Sequence, residues 1–301
     1  MFVLWVLASP LAWAERHALL IAVNRVEALP ERLRLRGPAN DVGLMHRTLL
    51  ELGVPAAHIT VLAQRSPLAA AAPTHAEVQR AMQRIGRTVG AGDTVVLHLA
   101  GHGVQVPQAL PLRAGAASEP DGLDEVFLLQ DSGPWDAATG QLPRALRDDD
   151  IGAWIDALVD RGARVFAVFD SCHAAGMARE PSPYARWRSV AAAELGVPTH
   201  PAAGRPAPGQ VLAYHPARTD GRVLAYAARG HELAAEEWLP KGGSLASARV
   251  HGVFSWEMAG ALSAGARNAT DLATALRTRY RTAQRVRPTP LITGDGPLFA
   301  N

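Results

Sequence analysis

Short apolar runs alternate with helical patterns along most of this chain. Residues 165–169, VFAVF, form a run of β-branched and aromatic side chains that is short enough to be a buried strand. Residues 94–99 form a second such run, and between the strand-like runs apolar residues recur at the three- and four-residue spacing of a helix. This alternation predicts βαβ units, and therefore an α/β fold with a mainly parallel central sheet and helices on both faces.

The same patterns predict where each element lies. We expect strands at residues 17–24, 58–63, 94–99, 121–131, 165–169 and 222–229. Helices are expected from residue 42 to a stop at Gly53, after a Thr74–Glu77 capping box, from residue 148, around residues 254–262 and at residues 272–283. Residues 179–218 are rich in Pro, Ala and Arg without periodicity and are expected to form a long loop. The sequence shows no internal repeat and indicates a single domain.

The charge balance argues against one class of partner. The chain has 30 basic and 28 acidic residues and a net charge of +2. A nucleic-acid-binding domain needs a concentrated basic surface, and this sequence contains no basic stripe. Nucleic acid is therefore not expected as a partner, whereas the hydrophobic fraction of 48% suffices for a sizeable core.

The N-terminus predicts export. Residues 1–14 are apolar and end in Ala12-Trp13-Ala14, a pattern that suits signal peptidase, although the usual early Lys or Arg is missing. The stretch is too short to span a bilayer as a helix, so we expect a signal peptide at residues 1–14, a domain at residues 15–301 and a periplasmic or secreted protein. The alternative is a retained apolar strand or anchor. The lone Cys172 cannot form an internal disulfide, which leaves a free thiol.

Two strand-like runs each end in a residue of potential chemical importance. Cys172 follows the run at residues 165–169, and His102 follows the run at residues 94–99, between two glycines. The carboxyl ends of parallel strands meet at one edge of a sheet, where α/β proteins bind ligands. There Cys172 could be a nucleophile, His102 its base, and the backbone N–H groups of Gly103 and Cys172 donors to an oxyanion. From spacing alone, a structural cysteine and a core histidine remain the commoner explanation.

Several motifs around these residues resemble one known family. AGHG (residues 100–103) and DSCH (residues 170–173) are similar to the histidine and cysteine motifs of the caspase-like cysteine peptidases, in particular the metacaspases and their bacterial relatives. HALLIAVN, LRGPANDVGLM, DGLDE, DDDI, YAARGHELAAE and HGVFSWEM also match in order, from about residue 16 to the last helices. The resemblance implies a caspase-like fold. The Q-A-C-x-G signature of true caspases is absent.

The resemblance also implies a reaction and a specificity. Cys172 would attack a peptide bond and His102 would handle the protons. Asp41 and Asp170 match the acidic pocket of metacaspase-like proteins, so we expect cleavage of peptides or proteins after Arg or Lys. Each acid also has a structural explanation, Asp41 in the first turn of a helix and Asp170 at the end of a strand.

Two further properties of the family give expectations. Many metacaspases are activated by calcium, and the matching acids here are Asp121, Asp124, Asp148, Asp149 and Glu180. An acidic helix N-terminus is equally explained as a helix cap. The loop at residues 179–218 corresponds to a linker that such enzymes cut themselves, and the alternative is a tolerated surface insertion.

Three other interpretations are open but weaker. The chain could be a caspase-like binding module without catalysis, or a metallohydrolase in which His98 and His102 bind zinc. The strand position of His98 favours a core residue instead. His173 could compete with His102 as the base.

Overall fold

The computed structural model of the protein describes residues 14–108, 122–172, 186–198, 219–229, 232–241 and 247–299. In chain order the strands are β1 (Arg16–Ala22), β2 (Ile59–Ala63), β3 (Thr94–Ala100), β4 (Gly103–Pro107), β5 (Leu123–Phe127), β6 (Leu146–Arg147), β7 (Arg164–Asp170), β8 (Arg186–Trp187), β9 (Arg222–Tyr226), β10 (Ala235–Leu239), β11 (Arg249–Gly252) and β12 (Leu291–Gly294). The α-helices are α1 (Pro38–Glu51), α2 (His75–Thr88), α3 (Asp148–Asp160), α4 (Val253–Ser263) and α5 (Ala269–Thr282). Short 3-10 helices lie at Glu31–Leu33, Ala56–His58 and Ala192–Leu195.

The central sheet has six strands in the order β12-β9-β7-β3-β1-β2. Five of them run parallel, and only the edge strand β12 is antiparallel to its neighbour β9. The innermost strands β1, β3 and β7 are buried almost throughout because helices cover both faces, which explains why their sequences are continuously apolar rather than alternating. The predicted mainly parallel sheet is confirmed.

The helices divide the core into two layers. Side chains of α2 and α3 pack on one face of the sheet, and those of α1, α4 and α5 pack on the other. The spacing that predicted these helices marks their buried sides, for example Val42, Met45 and Leu49 of α1. The Thr74 hydroxyl accepts a hydrogen bond from the Glu77 N–H at 3.4 Å and starts α2 as the capping box predicted.

Two small antiparallel sheets stand beside the central one. The predicted strand at residues 121–131 is shorter, as β5, and it belongs to the sheet β4-β5-β6 rather than to the main sheet. The other small sheet is β11-β10-β8, and its strand β8 lies inside the region expected to be a loop. The loop prediction is therefore wrong at Arg186–Trp187, which form β8, and at Ala192–Leu195, which form a 3-10 helix. A two-residue strand has no periodicity, and β8 forms only because β10, about fifty residues later, pairs with it.

Two regions of interest are only partly described. Residues 1–13, which contain nearly all of the expected signal peptide, and most of the loop at residues 179–218 lie outside the described residues. In the described part of the chain, none of the helices has the length and apolarity needed to cross a membrane.

Candidate active site

The histidine and cysteine loops lie at the same edge of the central sheet. Strands β3 and β7 are parallel neighbours, and Ala100 at the end of β3 is paired with Asp170 at the end of β7. His102 and Cys172 each follow two residues later. Gly101 is required in between, because a Cβ there would lie 2.9 Å from the Phe127 ring. The predicted convergence of the two strand ends is what the structure shows.

His102 is held in one tautomer. Its side chain is buried, with 2% of the residue surface exposed, and Nε2 lies 2.6 Å from the carbonyl oxygen of Leu33. A carbonyl oxygen only accepts hydrogen bonds, so Nε2 carries the hydrogen and Nδ1 presents a lone pair. Nδ1 is buried and has no hydrogen-bond partner among the described residues. Burial lowers the pKa of His102 to about 4, which keeps the ring neutral near pH 7.

The Cys172 thiol is also buried and neutral. Its Sγ accepts a hydrogen bond from the Ala234 N–H and lies 3.7 Å from the Ala234 carbonyl oxygen. Burial raises the pKa of Cys172 to about 12. Within the described residues Sγ is hydrogen-bonded to Ala234 rather than to His102. The site therefore holds a neutral thiol and a neutral imidazole, a resting arrangement rather than an activated nucleophile.

The two expected oxyanion donors point to the same atom. The N–H groups of Gly103 and Cys172 each donate a hydrogen bond of 3.1 Å to the carbonyl oxygen of Arg188. Two converging backbone N–H groups around one carbonyl oxygen form the geometry that stabilises a developing oxyanion. Here that carbonyl belongs to the chain itself.

The side chain of Arg188 lies between the two acids predicted to form the specificity pocket. Its guanidinium is paired with Asp41 through Nη2 and with Asp170 through Nη1, the latter at 3.1 Å from Oδ2. Arg188, Asp41 and Asp170 each have 0% of their surface exposed. Both acids, one from the first turn of α1 and one from the end of β7, therefore face a single buried cation.

A third acid, not predicted from the sequence, completes the pocket. Glu236 on β10 has Oε2 at 3.8 Å from Arg188 Nη2. The same carboxylate accepts hydrogen bonds of 2.8 Å from the N–H groups of Arg36 and Gly37, which fix its position. Three carboxylates therefore surround one guanidinium.

The ionisation of the pocket follows from burial and charge. Burial raises the pKa of both Asp170 and Glu236. Burial acts in the same direction on Asp41, but the Arg188 charge and the His251 hydrogen bond outweigh it and lower the pKa of that carboxyl. Burial opposes the charge of Arg188, yet the surrounding carboxylates raise its pKa, so the guanidinium stays charged.

Further polar groups hold the two predicted acids in place. His251 Nδ1 lies 3.0 Å from Asp41 Oδ1, and the Ser255 hydroxyl donates a 2.6 Å hydrogen bond to Asp170 Oδ2. His98 Nε2 lies 2.9 Å from that same hydroxyl. His98 is fully buried behind the pocket, and burial lowers its pKa to about 4. Its position is that of a core residue supporting the pocket.

Two glycines leave room for the pocket. A Cβ on Gly252 would overlap the Asp170 carboxylate and lie 2.6 Å from the guanidinium carbon of Arg188. A Cβ on Gly37 would lie 2.8 Å from Arg188 Nη2. Both glycines therefore provide space that a side chain would fill.

The acids expected to bind calcium are only partly described. Asp124 lies in β5, and Asp148 and Asp149 begin α3, which the pairing of Val126 with Arg147 brings beside β5. Asp121 and Glu180 lie outside the described residues, as does His173. Among described residues, three metal-ligating atoms within 4.8 Å of one another occur at Glu15, His17 and His58 instead. The calcium assignment stays a prediction.

A sheet with a histidine and a cysteine after adjacent parallel strands, and an acidic pocket beside them, defines the class of caspase-like cysteine peptidase domains. The family model described as metacaspase, peptidase C14 domain, matches residues 16–181, more than half of the chain. The chain belongs to the metacaspase family, which confirms the family and the fold expected from the sequence.

Individual relatives agree with this assignment. Metacaspase-1 of Candida albicans is 31% identical over 169 residues, which are 56% of this chain and 35% of that protein. Metacaspase-4 of Arabidopsis thaliana is 30% identical over 167 residues, or 55% of this chain and 35% of that protein. The chain thus spans about a third of the length of these curated relatives. The crystal structure of protein GSU0716 from Geobacter sulfurreducens shares the fold, with a TM-score of 0.58, 18% identity, and coverage of 95% of this chain and 97% of that one.

Proposed function

We propose that this protein is a cysteine endopeptidase that cleaves peptide bonds after Arg or Lys, with Cys172 as nucleophile and His102 as proton carrier. The observation that carries the proposal is the placement of Arg188. Its guanidinium fills the acidic pocket while its carbonyl oxygen is bound by the Gly103 and Cys172 N–H groups. One arginine thus contacts both the predicted specificity acids and the predicted oxyanion donors.

The pocket chemistry supports a basic residue before the cleaved bond. A buried carboxylate is costly unless it is paired, and Asp41 and Asp170 have no exposed surface through which water could compensate them. An Arg or Lys side chain of a substrate would supply there the charge that the Arg188 guanidinium supplies in the structure. The two Nη groups of arginine address the two acids at once, so we expect arginine to be preferred over lysine.

The reaction follows from the tautomer of His102. Nδ1 takes the thiol proton as Sγ bonds to the substrate carbonyl carbon, and the N–H groups of Gly103 and Cys172 stabilise the resulting oxyanion. The imidazolium then gives its proton to the leaving amine, and a thioester forms. Water hydrolyses the thioester and regenerates the thiol. Hydrogen bonding of Nε2–H to Leu33 keeps the ring in the tautomer that this sequence of proton transfers needs.

Calcium remains part of the proposal. The described candidates Asp124, Asp148 and Asp149 carry carboxylate oxygens, the hard donors that Ca²⁺ prefers, so the donor chemistry fits. Bound calcium would supply positive charge that holds these acids together beside β5. Export and a cleaved leader also remain predictions, since residues 1–13 lie outside the described residues.

Hydrolysis of fluorogenic peptides tests the function. Matched peptides that end in Arg, Lys or Asp are compared, with and without calcium, for the wild type and Cys172→Ala. Cleavage after Arg and Lys that disappears in Cys172→Ala is the expected result. If the well-folded wild type cleaves none of the peptides under any condition, a caspase-like binding module is favoured. If Cys172→Ala keeps the activity and a chelator abolishes it, a metallohydrolase is favoured.

A further inference from the structure

A second cluster of potential ligands lies at the other edge of the central sheet from the candidate active site. Glu15 precedes β1, His17 is the second residue of that strand, and His58 directly precedes β2. Strands β1 and β2 are parallel neighbours in which Ala18 is paired with Ile59, so the histidines one residue earlier also lie side by side. The cluster therefore joins two segments that are about forty residues apart in the chain.

The two imidazole rings of the cluster are in contact. Their centroids are 4.7 Å apart, and the ring planes differ by 10°. His17 has only 7% of its surface exposed, whereas His58 is half-buried and Glu15 is exposed. One nitrogen of each ring and a carboxylate oxygen of Glu15 all lie within 4.8 Å of one another. The cluster is thus enclosed by the protein on one side and open to solvent on the other, so an ion can reach it.

Two ring nitrogens of the cluster lack a partner among the described residues. His17 Nε2 and His58 Nδ1 are both buried, and neither makes a hydrogen bond there. Buried polar atoms are almost always satisfied, and an ion is one of the partners that satisfies them. Burial lowers the pKa of His17, so its ring is neutral near pH 7 and keeps the lone pair that a metal ligand needs.

The backbone of Glu15 is fixed beside these rings. The Glu15 N–H donates a 2.7 Å hydrogen bond to Asp93 Oδ1, and its carbonyl oxygen accepts one of 2.8 Å from the Thr94 N–H. Asp93 is held in turn, because its Oδ2 accepts a 2.8 Å hydrogen bond from the Gly90 N–H. The Asp93 carboxylate also places a negative charge close to His17, which favours a cation at this position.

The spacing of two of the atoms already suits one metal ion. Two ligands of a tetrahedral Zn²⁺, each about 2.0–2.1 Å from the metal, lie about 3.3 Å apart. His17 Nε2 and Glu15 Oε2 are 3.3 Å apart. The stacked rings are nearly parallel, so their lone pairs converge on one ion only after the His58 ring turns about its Cβ–Cγ bond. The half-buried position of His58 leaves space for that turn.

We propose that Glu15, His17 and His58 bind one Zn²⁺ or a similar divalent transition metal, with water as the fourth ligand, and that this metal fastens the start of β1 to the start of β2. Imidazole nitrogens with a carboxylate are a donor set that zinc prefers, whereas Ca²⁺ and Mg²⁺ prefer oxygen donors alone. A link between the two strands closes the connection that contains α1, so it restricts the unfolded chain and stabilises the fold.

Calorimetric titration of the full-length, untagged chain with ZnCl₂ tests the binding. The titration is made in Cys172→Ala, because a cysteine beside a histidine also binds zinc, and this background makes the result independent of the proposed peptidase function. We expect one Zn²⁺ per chain and no displacement by excess Ca²⁺. His58→Gln should bind at least about 100-fold more weakly, since loss of a mere outer partner of a ligand costs 10- to 100-fold. His46→Gln, the same change at a histidine outside the cluster, is the matched control and should bind as tightly as the parent.

Glu15→Gln is a second variant that spares the buried ring, because Glu15 is exposed. It should weaken zinc binding by at least about 10-fold and leave the chain folded. Saturating Zn²⁺ should raise the urea midpoint of His46→Gln and leave that of His58→Gln unchanged. Failure of the folded parent to bind zinc, or equal affinities in the parent and either cluster variant, would overturn the site. Binding that leaves the urea midpoint of the parent unchanged would overturn the link between the strands.

Titration with Co²⁺ reports the ligand geometry in the same proteins. Four-coordinate Co²⁺ absorbs visible light much more strongly than the hydrated ion does, so a coloured complex is expected in the parent and in His46→Gln. The colour should be absent in His58→Gln at the same Co²⁺ concentration. A coloured complex of equal intensity in His58→Gln would place the metal elsewhere in the chain and overturn the inference.

Discussion

Arg188 and Asp41 form a salt bridge in which neither side chain has any exposed surface. A pair of this kind is costly to break, because removing one partner leaves an unpaired charge away from water. Under the proposed function, this geometry would favour a substrate cation that reaches the full depth of the pocket, because such a cation restores the pairing. The contacts of this internal arginine thus show which groups a substrate arginine would need.

The first prediction concerns that carboxylate. Asp41→Asn keeps the size of the side chain and removes its charge. We expect kcat/KM for a peptide ending in Arg to fall by roughly 10- to 100-fold, since a hydrogen bond to a charged group is worth about 1.5–3 kcal/mol. Asp156→Asn is the matched control, because Asp156 has 44% of its side chain exposed and pairs with Arg222 at the start of β9, the opposite end of the parallel strands from Asp170. Equal losses of kcat/KM in the two variants would show that Asp41 does not bind the substrate arginine.

The second prediction concerns the space beside the acids. Gly252→Ala places a methyl group against the Asp170 carboxylate and the position of the guanidinium. We expect a tenfold or greater loss of cleavage after Arg, seen mainly as a raised KM, with the protein still folded by circular dichroism. Gly43→Ala is the control, since a Cβ there meets nothing within 4 Å. Unchanged kinetics in Gly252→Ala would contradict the assignment of the pocket.

Much of the framework was predictable because it is encoded in local patterns. The strands that carry His102 and Cys172 are continuous apolar runs, and the helices between them have clear periodicity and recognisable ends, such as Thr74 and Gly53. Parallel pairing then brings the strand ends together without further information. These local signals are therefore enough to predict the fold and the placement of His102 and Cys172 at one edge of the sheet.

The rest of the pocket depends on contacts between distant parts of the chain. Arg188 was one of several arginines in an aperiodic region, and Glu236 is about two hundred residues from the Arg36 and Gly37 N–H groups that hold it. No spacing rule relates such residues. The available signal was that Glu236 and His251 fall in the two segments, YAARGHELAAE and HGVFSWEM, that resemble the family.

The third prediction concerns the reactivity of the thiol. Thiolate is the reactive form, and a pKa of about 12 leaves almost none of Cys172 ionised at pH 7. Iodoacetamide should therefore modify Cys172 in the folded protein at least a hundredfold more slowly than in urea-unfolded protein, with a rate that rises as the pH is raised. The alkylated fraction is followed by intact mass. Rapid labelling of the folded protein would show that the thiol is not held as the structure indicates.

The fourth prediction concerns stability at acidic pH. Burial lowers the pKa of both His98 and His102 to about 4, against about 6.5 in an unfolded chain. At a pH between the folded and the unfolded pKa, the unfolded chain binds more protons than the folded protein does. Each histidine therefore lowers the free energy of unfolding by about 1.4 kcal/mol for each pH unit by which the pH falls. Asp170 and Glu236 act in the opposite direction, because burial raises their pKa and the folded protein takes up protons there first.

The contribution of His98 is separated from those of the other groups by comparing the pH dependence of stability in the wild type and in His98→Gln. His98→Gln keeps an N–H donor for the Ser255 hydroxyl, which His98 Nε2 contacts at 2.9 Å, but cannot titrate. Urea unfolding at several pH values between 6.5 and 4.5 should give a pH slope that is smaller in His98→Gln by about 1.4 kcal/mol per unit. His46→Gln, at a much less buried histidine on α1, is the comparison and should change the slope far less. Identical slopes in the wild type and His98→Gln would mean that His98 does not stay neutral in the folded protein.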